Sequence, residues 1–144
     1  MALAINASGQ VVGTAGISGD PNGHAFLYSE GTMTDLDTLG GTLSSASGIN
    51  ASGQAVGYAW YPSTSGIFTS RAFLYSAGTM TDLGTLGGTS ASANGINAEG
   101  QVVGGASTVD DNAYHAFLYS GGTMVDLGTL GWNLSEAEAI NEAG

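Results

Sequence analysis

The side chains best suited to chemistry in this sequence are carboxylates and imidazoles, and they recur in fixed settings. Asp35, Asp82 and Asp126 each sit in a tract M-x-D-L. His24 and His115 open the tract H-A-F-L-Y-S, and Arg71 holds the same place in a middle copy. A pair of carboxylates about 5–10 Å apart can run acid–base cleavage of a glycosidic bond. Repetition argues for a different use. A residue at one position of a repeated unit belongs to the scaffold, so each His is expected to donate to a neighbouring strand's carbonyl. Each Asp is expected to accept backbone N–H bonds at a strand end. Two equivalent histidines two units apart cannot share a metal ion. There is no Lys, no Cys, no G-x-S-x-G elbow and no Walker loop, and the Gly84–Gly88 tract lacks the Lys that a phosphate loop needs. The sequence therefore assigns no catalytic residue, and the chain is not read as an enzyme.

Two other groups lie in variable segments. Asp20 and Asn22, and then Asp110, Asp111 and Asn112, cluster oxygens of the kind that hold Ca²⁺. Neither group completes a known calcium pattern, and Asp and Asn serve equally as turn formers. They are weak metal candidates, and no cofactor is assigned. The middle variable segment, residues 58–71, reads Y-A-W-Y-P-S-T-S-G-I-F-T-S-R. It contributes Trp60, Tyr61, Phe68 and Arg71, the one base of the chain. Aromatic faces on a loop of a rigid repeat suit a neutral glycan or a protein partner, and Trp60, Tyr61 and Phe68 are expected to gather on one rim. Folding back onto the scaffold is the alternative. The N-x-S matches at Asn6 and Asn50 fall in a repeated turn; a third occurs at Asn133.

Composition narrows the partners. One basic residue faces twelve acidic ones, for a net charge of −11. That charge opposes nucleic acid, which needs a basic face, and anionic membrane surfaces. No apolar run approaches the roughly 20 residues of a spanning helix. Residues 1–6 show no basic, apolar leader pattern, so no signal peptide is read on this chain. With no Cys, there are no disulfides or thiolate metal sites.

The residues above are positioned by a repeat. Ala4–Gly13 (A-I-N-A-S-G-Q-V-V-G) returns at Gly48–Gly57 and Gly95–Gly104, and a fourth start, A-I-N-E-A-G, occupies Ala139–Gly144. Repeats run approximately over 4–47, 48–94 and 95–138, with a partial one at 139–144, in a single domain. The spacing from Ile to the following Phe varies, whereas that from Phe to the next Ile is constant. All length variation thus falls in one loop. Each unit reads as four short strands: in the middle copy Ala46–Asn50, Gln54–Ala59, Arg71–Ser76 and a fourth from Thr79. Turns of the type N-x-x-G and x-G separate them. Gly87-Gly88 and a Ser/Ala-rich link lead on to the next unit. In A-F-L-Y both faces are apolar, so both need cover. Sheets stacked face to face satisfy this, and the fold expected is an all-β, propeller-like array of four-stranded antiparallel blades, with a β-solenoid as alternative. Phe26, Phe73 and Phe117 are expected to be equivalent core residues.

The three tracts G-I-N-x-x-G-Q-V-V-G, H-A-F-L-Y and M-x-D-L-G-T-L-G-G together resemble the bacterial HAF repeat, a family of extracellular repeat proteins. The resemblance spans essentially the whole chain. Arg71, Asp37 and Trp132 depart from the pattern. It implies an exported or cell-surface protein with a repeat scaffold and no reaction. The function expected is an extracellular scaffold or binding module for a glycan or protein. A carbohydrate-active propeller enzyme, and a fragment of a larger propeller, are the alternatives. Three blades fall short of the usual four to eight. The sequence reading therefore expects further blades, from a longer chain or from a second copy whose Gln10–Thr14 strand pairs with Glu138–Asn141.

Overall fold

The computed structural model describes residues 1–62 and 68–144, without the side chains of residues 62 and 68. Twelve strands among these residues form three sheets, each a meander in chain order. The first holds β1 (Ala2–Ile5), β2 (Val11–Ile17), β3 (Asp20–Ser29) and β4 (Thr32–Asp35). The second holds β5 (Leu43–Ile49), β6 (Ala55–Pro62), β7 (Phe68–Ser76) and β8 (Thr79–Asp82). The third holds β9 (Gly87–Ile96), β10 (Val102–Thr108), β11 (Tyr114–Ser120) and β12 (Thr123–Asp126). A single 3₁₀ turn at Val109–Asp111 is the helical content of the described residues.

Local sequence explains the hairpins. The β3–β4, β7–β8 and β11–β12 turns use Glu30-Gly31, Ala77-Gly78 and Gly121-Gly122, and both residues of each pair have positive φ. That is the primed turn whose twist matches antiparallel strands. β1–β2, β5–β6 and β9–β10 are joined by N-x-x-G turns, with Gly9, Gly53 and Gly100 near φ +77 to +78. All the strand ladders are antiparallel and lie within one sheet. A solenoid, the alternative considered from sequence, would instead run strands parallel between coils.

Two faces of each sheet are used differently. Alternation puts Phe73, Tyr75, Ala55 and Ala59 on one side of the second sheet, and Val56, Ala72 and Leu74 on the other. The Phe side packs on Val12, Ala25 and Leu36 of the first repeat. The Leu side meets Ala91, Ala93 and Phe117 of the third. There are thus two apolar cores, each made of the Leu face of one sheet and the Phe face of the next. Phe73 and Phe117 are fully buried in the two cores, as expected; Phe26, their counterpart in the first sheet, is 6% exposed but belongs to neither core.

Two features differ from the sequence reading. β5 and β9 start earlier than expected, and the Ser/Ala stretch read as a link is strand. Its small side chains fit the narrow space between sheets: Ser44, Ser45, Ala46, Ala91 and Ala93 are all buried. The three sheets are also not closed on themselves. The Phe face of the first and the Leu face of the third have no sheet opposite. Met33 is 56% exposed, whereas its counterparts Met80 and Met124 pack into the cores. Leu127 is 54% exposed where Leu36 and Leu83 are buried.

Candidate binding site

The repeated His and Asp turn out to be partners of each other. His24 Nδ1 lies 3.0 Å from Asp35 Oδ2, and His115 Nδ1 lies 2.9 Å from Asp126 Oδ2. The expected carbonyl acceptor for the imidazole is therefore replaced by a carboxylate. Adjacent strands explain this: Phe26 pairs with Asp35, and Phe117 with Asp126, which brings the His two residues earlier on the same face within reach. Each Asp also caps the following turn, accepting N–H bonds from Asp37, Gly84 or Gly128, as expected from sequence. Asp126 is held below the usual carboxylate range, first by the His115 hydrogen bond and then by the Gly128 N–H. Arg71 and Asp82 occupy the equivalent positions in the second sheet. The His–Asp pairs tie β3 to β4 and β11 to β12.

The aromatic segment resolves into two surfaces. Trp60 and Tyr61 are successive residues of β6, paired in unbroken register with Ser70 and Thr69 of β7, so they point to opposite faces. This corrects the expectation of one shared rim. Tyr61 shares the Phe face with Arg71, which lies opposite Ala59. Its hydroxyl donates to the Leu39 carbonyl in the link from the first sheet. Burial raises the Tyr61 pKa, Asp82's charge adds to the rise, and Arg71 opposes it. Tyr61 is thus half-buried structure that braces the link. Trp60 shares the Leu face with Tyr58: their ring centroids are 6.4 Å apart at 40°. Trp60 is 39% exposed. Phe68 begins β7 opposite Pro62; its side chain falls outside the described residues, so its part in the expected cluster does too.

The oxygen-rich loops are occupied by local bonds. Asp20 accepts from the Asn22 N–H and lies 3.8 Å from His24 Nε2. Asp111 accepts from the N–H and hydroxyl of Thr89, and the Thr89 N–H is the first cause of its lowered pKa. Asp110 and Asp111 both carry positive φ in the 3₁₀ turn, and Asn112 caps it. Among the described residues no three His, Asp or Glu side chains converge. Asp20 and Asp111 thus act as turn and strand clips.

Comparisons with protein-family models, with curated proteins and with solved structures return no match.

The sequence reading missed two features. Tyr58 was inside the aromatic tract but was not singled out. Its separation of two from Trp60 is the strand signal that places both rings on one face. The other is a ladder. Asn6 Nδ2 donates to the Asn50 carbonyl at 2.9 Å, Asn50 to the Asn97 carbonyl at 3.0 Å, and Asn97 to the Asn141 carbonyl at 3.1 Å. Each Asn also donates to the Gln four residues on, at 2.7 Å. Each Oδ1 accepts that Gln's own N–H at 3.0 Å. The N-x-x-G-Q tract is thus both a turn and the bolt between consecutive sheets. The spacing of four was visible in the sequence; the inter-repeat reach was not.

Proposed function

We propose that the chain is a rigid scaffold of propeller-type blades that presents the β6–β7 hairpin to a neutral saccharide. The paired rings of Tyr58 and Trp60 carry this reading. At the equivalent positions the first repeat has Thr14 and Gly16, and the third has Gly105 and Ser107. The aromatics therefore belong to the middle unit alone, while the repeated residues are consumed in the cores, the ladder and the His–Asp ties. Two partly exposed aromatic rings on one face suit the apolar face of a sugar ring. A net charge of −11 repels anions and leaves neutral glycans unaffected. The HAF-like tracts support placement outside the cell.

The test is a panel of neutral oligosaccharides, read by tryptophan fluorescence and calorimetry, against the wild type and the Tyr58→Ala/Trp60→Ala double variant. Binding should be present in the first and lost in the second, with circular dichroism unchanged. Saccharide binding that survives the double change rejects the reading. Turnover of chromogenic glycosides that disappears in Asp82→Asn puts the carbohydrate-active alternative in its place.

A further inference from the structure

Asparagine is followed by glycine twice in this chain, at Asn22-Gly23 and at Asn94-Gly95. The dipeptide carries its own chemistry. The glycine nitrogen can attack the asparagine Cγ and close a cyclic imide. With no Cβ on the glycine, little hinders the approach. The attack is intramolecular, so its rate follows how freely the two groups can meet. The fold treats the two sites in opposite ways.

At the second site both groups are held. Asn94 Nδ2 donates to Glu136 Oε1 and to the Ala137 carbonyl, each at 3.0 Å. Gly95 packs against Ala139 and the Glu138 carbonyl. Ring closure there must first break two bonds and part the two segments.

At the first site neither group is held. The Asn22 side chain makes no hydrogen bond among the described residues, and only its backbone N–H is engaged, by Asp20 Oδ1 at 2.9 Å. Gly23 pairs with Gly16 and Asp20 with Ile17, so Pro21 and Asn22 have no residue opposite them in β2. The Ala25 N–H donates to Ser44 Oγ, and the Ala25 carbonyl accepts from the Leu36 N–H. Both groups of Ala25 therefore point away from β2. Residues two apart on an antiparallel strand aim their amides the same way, so the Gly23 N–H also points away from β2. On that side β4 reaches only to Asp35, opposite Phe26. The nucleophile and its target amide are thus both left out of the ladder. Asn22 is half-buried, and so are Thr69 and Ala113 at the same place in the other two sheets. A sheet packed on that face therefore leaves the position reachable.

We propose that Asn22 is a site of spontaneous deamidation in the folded protein. The Gly23 nitrogen bonds to Asn22 Cγ, and its proton departs with the side-chain nitrogen as ammonia. Water then opens the imide at one of its two carbonyls. Hydrolysis at Cγ gives aspartate; hydrolysis at the main-chain carbonyl gives isoaspartate, with the backbone routed through the side-chain methylene. No oxidant or reductant takes part. Either product places a new carboxylate between Asp20 and His24 in a chain already at net charge −11. The extra backbone carbon of isoaspartate falls where β3 has no partner in β2, so the ladder from Gly23 onward keeps its register.

The experiment compares the two sites within one molecule. Folded protein is incubated at mildly alkaline pH, where the glycine nitrogen loses its proton more readily. It is then denatured and cut after Arg71, its one Lys or Arg. The cut leaves Asn22 in one half and Asn94 in the other, and mass spectrometry follows each. The first half should gain the mass difference between a carboxyl and an amide about tenfold faster than the second, whose Asn94 is held by two hydrogen bonds. It should also accept methyl groups from an isoaspartyl carboxyl methyltransferase. Both signals should vanish in Asn22→Gln, which removes no side-chain hydrogen bond of the fold. In concentrated urea the two halves should gain mass at like rates. Equal rates in the folded protein, a faster second half, a first half that changes only in urea, or a signal that persists in Asn22→Gln overturns the proposal.

Discussion

At the residue scale, the asparagine ladder is the most concentrated source of stability. Asn50 is 4% exposed and makes bonds within its turn and across to the next repeat. Removing its side chain strands a buried carbonyl and two turn N–H groups. Each such group costs about 1–3 kcal/mol when left unsatisfied. Asn50→Ala should therefore lower stability by about 2–3 kcal/mol, and Asn6→Ala, at the half-exposed end of the ladder, by less. Urea unfolding of the two variants checks the order. The pair His115–Asp126 predicts a pH effect. Because the Asp126 carboxyl is held below its ordinary value of 3.8, its contribution is present above that value. It is lost as pH falls through the lowered one. The stability difference between wild type and Asp126→Asn should vanish on acid titration within that window and be constant at neutral pH.

At the element scale, sheet faces decide which residues count. Phe73→Ala, at a position buried completely between two sheets, should cost about 3–5 kcal/mol. A loss under about 1 kcal/mol would contradict the stacking. Met80→Ala should cost about 2 kcal/mol, and Met33→Ala, at the same repeat position but exposed, under about 0.5. Urea unfolding of each variant measures these costs. The strands were legible in the sequence where turns are explicit: x-G and N-x-x-G mark them without ambiguity. They were not legible at β5 and β9. Runs such as Leu43-Ser44-Ser45-Ala46 look like linker because small polar residues weaken the alternation signal. Their burial depends on a neighbouring sheet that no local pattern reveals. The final Gly of G-Q-V-V-G had no explanation in sequence either. In the structure, a Cβ at Gly57 would overlap the Ser45 carbonyl oxygen where β5 bulges toward β6.

At the scale of the whole molecule, each core is made by two sheets, and no buried residue is shared between the cores. The costs of Phe73→Ala and Phe117→Ala should accordingly add to within about 0.5 kcal/mol in the double variant. A larger departure would show strain passed through the second sheet. The repeat, and with it the all-β stacking, was visible in sequence because both faces of A-F-L-Y are apolar. The aromatic site was only half visible. Trp60 and Tyr61 are neighbours in the chain, but a strand sends neighbours to opposite sides. Only the register of β6 with β7 separates the exposed ring from the bracing one.

The meander order of every sheet also bears on how the chain folds. No strand pairs with one that is not its immediate neighbour in sequence, so each sheet needs only its own contiguous stretch to form. Strand pairing then closes short loops, with little of the entropy that slows β-proteins of distant pairing. Docking, the asparagine bolts and a few further bonds, such as Thr14 to Ser45 and the Ala25 N–H to Ser44, reach between sheets. On a ribosome, one sheet can be complete before the next has emerged. The Leu face of a finished sheet waits for the Phe face still being synthesised, and assembly proceeds in one direction along the chain.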